Sequence, residues 1–240
     1  MLERLIDFIP LSIIGLMVGS RRILNAKERA AQSALMVHLN IKERKTAKPL
    51  IIAIVGLIGS SKSSVAKELA EQIGATVIEG DAIRVELQKQ GADYGRAWAI
   101  AENMAVEVVG RGGSAILDSD FVDAKKRASV REKASKVGVR PLFIRTFCDF
   151  DVVSERIRKN DPSKFFADAS SLSQASDKGK DVKLREMWRR TPHHYTWVNR
   201  GGGQWVLKKF PFAIFAEINT TDPNSWKREV EKCAKKLLAQ

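Results

Sequence analysis

The chain has 240 residues, 44% of them hydrophobic and 29% charged, which suits one large domain with a short appendage and argues against a mainly disordered, collagen-like or many-span membrane protein. Lys and Arg number 41 against 28 Asp and Glu, and the formal charge of +13 favours anionic partners such as nucleotides, nucleic acid or a membrane surface, unless it is simply a solvated basic surface. The two cysteines, Cys148 and Cys233, lack paired Cys/His spacing, so a disulfide framework or structural zinc is not expected and a reducing cytoplasm fits best.

Residues 8–19, FIPLSIIGLMVG, are uncharged but fall short of the roughly 20 apolar residues that span a bilayer, and Pro10 interrupts them. Glu3 and Asp7 beside Arg4 do not suit a secretory signal. The expectation is an appended helix covering an apolar patch, with membrane-surface contact by residues 1–20 or an oligomer contact as alternatives. Residues 21–40 read as a helix with Ile23, Ala30, Ala34, Leu35 and Val37 near one face. The basic stretch IKERKTAKP, closed by Pro49, reads as a linker. The expected division is therefore 1–48, a helical appendage and linker, and 49–240, the main domain.

From Leu50 onward, short apolar runs alternate with amphipathic ones. LIIAIV (50–55), ATVIE (75–79), SAILD (114–118), PLFIRTF (141–147) and AIFAEI (213–218) have the length and composition of buried parallel strands. The intervening segments, such as SSVAKELAEQIG and RAWAIAENMAVEVVGRG, have helical spacing and charged outer faces. This alternation predicts an α/β fold with a mostly parallel central sheet between helical layers. Residues 160–211 break the pattern with a Ser-rich polar stretch, a basic helix VKLREMWRR and a hairpin TWVNRGGGQWVLKK whose turn is Gly201-Gly202-Gly203, and they read as a lid insertion. His193-His194 has no third ligand at metal-binding spacing.

After the first strand come Gly56, Leu57, Ile58, Gly59, Ser60, Ser61, Lys62, Ser63 and Ser64, opening a helix. This is the phosphate-binding pattern G-x-x-x-x-G-K-[ST] with Ser61 at the last glycine. Small residues let backbone N–H groups curl around phosphates, and the helix N-terminus adds partial positive charge. Lys62 is expected at the β- and γ-phosphates and Ser63 at Mg²⁺; an ordinary Gly/Ser turn is the alternative. Should position 61 require positive φ, its Cβ costs about 1 kcal/mol.

With IEGDAIR and ILDSDF in place downstream, the chain resembles the P-loop kinases that include polynucleotide kinase, zeta toxin and gluconate kinase, most closely over residues 50–160. The resemblance implies a three-layer P-loop NTPase fold and an ATP- and Mg²⁺-dependent kinase acting on a hydroxyl. It matches a D-x-x-R motif to Asp81 and Arg84, the carboxylate taking the acceptor's proton and the arginine gripping its anionic group. A cap for helix 82–90 is the alternative for Asp81, and a surface ion pair for Arg84. Asp118, ending the third strand, resembles a Walker B carboxylate that orients Mg²⁺, or else serves a turn. Arg127 is the matched basic residue facing the acceptor. Glu155-Arg156 matches the start of an E-R-x-x-x-R lid motif, whose second arginine position holds Asn160. Lid cations are then sought among Arg156, Arg158, Arg185, Arg189 and Arg190. Thr221, Asp222 and Pro223 are expected at the adenine or in a plain turn. The acceptor is not legible, though the net charge leans toward a phosphorylated or polymeric anion such as nucleic acid. From another class, the alternative is a nucleotide-binding regulatory or nucleic-acid-binding P-loop module with little turnover.

Overall fold

The computed structural model describes residues 23–159, 193–199, 203–208 and 213–240. Five parallel strands form the central sheet: β1 (Ile51–Val55), β2 (Ala75–Glu79), β3 (Ser114–Asp118), β4 (Leu142–Phe147) and β7 (Ala216–Asn219), in the order β2-β3-β1-β4-β7. All five residues of β1 are buried, as a central strand covered on both faces requires. The strands fall where the apolar runs predict them, within a few residues.

Two layers of helix cover the sheet. On one face lie α2 (Lys62–Ile73) and α7 (Trp226–Leu238), whose Val65, Leu69, Ile73, Val230 and Leu237 share a core with Ile52, Ile54, Ile116 and Ile144. On the other lie α3 (Gly80–Lys89) and α4 (Ala97–Gly110), which bury Ile83, Leu87, Ile100 and Val108 against Ala53, Val55 and Leu117. Helix α5 (Ala124–Ser135) packs beside α4, where the buried Glu102 carboxylate accepts from Ser129 at 2.7 Å and meets Lys133 at 3.1 Å. Helix α6 (Phe150–Lys159) follows β4.

The predicted hairpin is present as β5 (Tyr195–Val198) and β6 (Gln204–Leu207), antiparallel with Tyr195 opposite Leu207 and Trp197 opposite Trp205. Its apolar side docks on the body, placing Tyr195, Trp205 and Leu207 in the cluster that holds Leu57, Phe121 and Phe143. Trp197 meets Trp205 edge to face at 5.3 Å and Phe150 at 5.2 Å. The rest of the expected lid, including its basic helix, lies outside the described residues, as do residues 1–22. Among the described residues no helix is long and apolar enough to cross a membrane.

The segment before β1 is bound to the body throughout its described length. Helix α1 (Ala26–His38) begins with a capping box in which Asn25 and Glu28 exchange side chain-to-backbone hydrogen bonds at 2.8 and 2.9 Å. It buries Leu24, Glu28 and Ala31, whereas Ile23 and Val37 are 70% and 78% exposed. The packing face is thus rotated by one residue from the sequence expectation. Alanine-rich helices carry little apolar contrast, so the choice falls to Leu24 and the cap. The expected linker is a strap: Lys45 N donates to Ile73 O at 2.9 Å, Arg44 Nε to Gly112 O at 2.8 Å, and Lys42 N to Thr76 Oγ1 at 3.0 Å. Thr46 is buried with its hydroxyl 3.2 Å from that of Ser114, which also accepts from Leu50 N. Gly74, which ends α2 at φ +66°, faces this strap so closely that a Cβ there would lie 2.1 Å from the Glu43 carbonyl oxygen.

Candidate functional site

The loop 56–61 leaves β1 and turns into α2 at the carboxyl edge of the sheet, the edge at which open α/β folds bind ligands. Its floor is closely fitted. A Cβ on Gly56 would lie 2.2 Å from Thr146 Oγ1, so the chain passes β4 only because that residue is glycine. Ser60 is buried, its hydroxyl 2.8 Å from both the Leu57 carbonyl oxygen and Thr146 Oγ1. Thr220 Oγ1, in the loop after β7, lies 3.2 Å from the Ser60 carbonyl oxygen.

Ser61 has φ +57° and ψ +31°, and it is the sole non-glycine residue with positive φ among those described. The glycine of the motif would adopt this conformation freely; a Cβ there costs roughly 1–2 kcal/mol. Here the departure from the pattern coincides with a backbone that needs what the pattern supplies.

Lys62 folds back over the loop and donates to the carbonyl oxygens of Gly56 at 2.9 Å and Leu57 at 2.8 Å. Burial pushes its pKa below the ordinary lysine value, while the carboxylates of Asp120, Asp118 and Asp81 act in the opposite sense. The loop is therefore a cationic point ringed by acids. Asp118, at the end of β3, is held above the ordinary aspartate value by burial, while the neighbouring Ser63 hydroxyl and Lys62 ammonium draw it back down. Asp120 forms a local turn, its Oδ1 accepting from Val122 N at 3.0 Å.

Asp81 lies in the first turn of α3 rather than at its cap position, which falls on Glu79. The helix begins two residues before the predicted 82–90, so the carboxylate is released from capping and pairs with Arg84 Nη1 at 2.5 Å. Both side chains reach solvent at the strand ends.

Other expected site residues are tied into the scaffold. Arg127 is buried and donates to the carbonyl oxygens of Phe121 and Val122. Arg156 donates to the Thr220 carbonyl oxygen at 2.5 Å and reaches Gly59 O, Thr220 Oγ1 and Cys148 Sγ at 3.3–3.4 Å, joining the phosphate loop to the loop after β7. Thr221 and Asp222 shape the turn into α7: Thr221 Oγ1 accepts from Asp149 N at 3.0 Å, and Asp222 Oδ1 from Asn224 N at 2.9 Å. Arg185, Arg189 and Arg190 lie outside the described residues, as does the side chain of Arg158. Thr146 and Thr220 were not singled out from sequence. Their signal was limited to a hydroxyl residue near the carboxyl end of β4 and another directly after β7.

Residues 51–178, more than half of the chain and reaching from β1 past α6, match the family model described as an AAA domain. The chain belongs to that family. Its sheet order and the position of its phosphate loop give the AAA-domain chain the P-loop NTPase fold that the sequence predicts. No curated protein matches the sequence. Among solved structures, a candidate kinase of Chloroflexus aurantiacus shares the fold at 18% identity, with a TM-score of 0.56 over 80% of this chain and 99% of that one. A gluconokinase from Sinorhizobium meliloti is 18% identical over 80% of this chain and 94% of its own, with a TM-score of 0.46. The APS kinase of Mycobacterium tuberculosis, solved with AMPPNP and APS, is 15% identical over 78% and 98%, with a TM-score of 0.49.

Proposed function

We propose that this AAA-domain protein is an ATP- and Mg²⁺-dependent phosphotransferase whose acceptor is a hydroxyl group. The observation that carries the reading is the convergence of an ammonium, a hydroxyl–carboxylate pair and a second, guanidinium-held carboxylate at the carboxyl ends of β1, β3 and β2. Phosphoryl transfer asks a protein for positioned charge rather than for covalent chemistry, and this set supplies it.

Ser63 and Asp118 are hard oxygen donors close enough for the hydroxyl to act on the carboxylate, a pair suited to Mg²⁺. Among the described residues no cluster of three or more His, Cys, Asp or Glu could hold a metal alone. That accords with a cation taking most of its ligands from phosphate and water. When bound with ATP, Mg²⁺ neutralises phosphate charge. Lys62 would exchange its loop carbonyls for the β- and γ-phosphate oxygens, and the N–H groups of residues 57–64 would line the cradle. Asp81 would take the acceptor hydroxyl's proton on a carboxylate oxygen while Arg84 orients that carboxylate and meets an anionic acceptor group. Arg156 would keep the loop against residue 220, leaving Arg158 or the basic stretch 185–190 to provide charge over the transferred group.

The test is transfer from radiolabelled ATP to a panel of sugars, nucleosides, phosphorylated metabolites and oligonucleotides, run with two variants. Asp81→Asn should abolish most transfer while ATP affinity stays within a few-fold, and Asp118→Asn should raise the Mg²⁺ concentration required. Unchanged turnover in the Asp81 variant would remove that residue from the catalytic set. The left-handed Ser61 favours a second reading, a nucleotide-binding regulatory or nucleic-acid-binding module with little turnover. Mg-ATP binding without consumption under any acceptor would support that reading.

A further inference from the structure

The carbonyl oxygen of Leu57 is crowded with donors. Lys62 Nζ reaches it at 2.8 Å, the Ser60 hydroxyl at 2.8 Å and the Ser60 backbone N–H at 3.2 Å. A carbonyl oxygen offers two lone pairs, so one of the three donors is surplus. The two from Ser60 belong to the turn itself, whereas Lys62 ends a long side chain that also holds the Gly56 carbonyl oxygen at 2.9 Å. Lys62 is the donor free to leave. The direction of the hydroxyl contacts follows from counting protons. Ser60 and Thr146 are both buried, so neither hydroxyl turns to bulk water. A hydroxyl carries one proton and a carbonyl only accepts, so the Ser60 proton goes to Leu57 O. The 2.8 Å contact between Ser60 Oγ and Thr146 Oγ1 is then a hydrogen bond with Thr146 as donor. A relay runs from Thr146, near the end of β4, through Ser60 to the Leu57 carbonyl. Thr220 Oγ1, 3.2 Å from the Ser60 carbonyl oxygen, secures the same serine from the loop after β7.

We propose that Ser60, oriented by Thr146, is a positioning residue: it keeps the Leu57 carbonyl satisfied when Lys62 leaves that oxygen for phosphate. The proposal rests on the nucleotide reading of the phosphate loop. A lysine that closes an empty loop on its own carbonyls must give those bonds up before it meets a ligand, and a carbonyl abandoned in a closely fitted loop is costly. With Ser60 in place, Leu57 O passes from three donors to two and stays paired. Without the serine hydroxyl it would keep only the backbone N–H at 3.2 Å, and the ammonium would become its principal partner. The hydroxyl therefore acts on affinity through Lys62, without a contact to the ligand.

Calorimetry with Mg-ATP as the probe tests this. Ser60→Ala should weaken binding about fivefold, the effect of losing one neutral hydrogen bond. In a Lys62→Ala background the same change should cost nothing further, because no ammonium remains to be released. A serine that merely shaped the loop would lower affinity equally in both backgrounds. At Thr146, alanine should weaken binding about threefold, whereas serine, which keeps the donor, should restore it. That pair carries the test if Ser60→Ala does not fold. Labelling lysine with ¹⁵N at Nζ gives a second readout: in unliganded Ser60→Ala the Lys62 ammonium protons should exchange with water more slowly than in the unaltered protein, since the hold on Leu57 is no longer shared, whereas a loosened loop would speed them. Full affinity in Ser60→Ala, an equal loss with and without Lys62, equal binding by Thr146→Ala and Thr146→Ser, or faster ammonium exchange overturns the proposal. Absence of calorimetric Mg-ATP binding to the unaltered protein overturns the nucleotide reading itself, and this inference with it.

Discussion

The strap that precedes β1 and the crevice at the strand ends show opposite habits. Along the strap, polar side chains and backbone groups find partners on the body: Lys45 N on Ile73, Arg44 on Gly112, Thr46 on Ser114. In the crevice, Lys62 satisfies itself on its own loop and Ser61 sits in a left-handed conformation. One region is arranged for holding and the other for exchanging partners. Among the described residues the one left-handed non-glycine backbone lies in this crevice, and strain of that kind is commonly kept where function needs it.

That contrast can be broken from either side, and the largest effect is expected in the crevice. Lys62→Ala should weaken Mg-ATP binding about a hundredfold, on the order of 3 kcal/mol, while the thermal midpoint hardly moves. Calorimetry beside a melting curve checks both; equal affinity in the two proteins would show that the crevice does not bind phosphate through this ammonium. On the strap side, Gly74→Ala drives a Cβ into the Glu43 carbonyl and places it at φ +66°. It should cost about 2–3 kcal/mol, lowering Tm by roughly 5–10 °C. ATP affinity of the folded variant should be preserved, and a loss there would show that the strap and crevice are coupled. Smallest is Ser61→Gly, which should add up to about 1 kcal/mol of stability, since relief of the left-handed cost is partly offset by glycine's entropy. Binding should be equal or tighter. A clear loss would mean that the Ser61 side chain makes a contact with ligand.

How much of this was legible follows from the kind of interaction involved. The sheet was readable because buried parallel strands must be continuous apolar runs, as IIAIV in β1 is. The phosphate loop was readable because its residues are neighbours in sequence. The strap was not: IKERKTAKP looks like solvated linker, and its bonds go to Gly112, Ser114 and Thr76, which no local pattern connects to it. The packing face of α1 was misplaced by one residue because Ile23 and Val37 suggest a stripe that Leu24, Glu28 and Ala31 in fact provide. Arg127 and Arg156 were expected to face acceptor and phosphate, whereas the backbone carbonyls they hold follow from tertiary packing that no local pattern announces.

The aromatic contacts of the hairpin have an optical consequence. Two indoles 5.3 Å apart and steeply inclined, with Phe150 from the body against one of them, form a coupled chromophore whose circular dichroism depends on their mutual orientation. Trp197 comes from one strand and Trp205 from the other, so the signal exists only while the β5–β6 register holds. Its dependence on the Phe150 edge ties it to the body as well. Undocking of the hairpin would therefore be visible in the unlabelled protein, as a change of shape in the tryptophan bands.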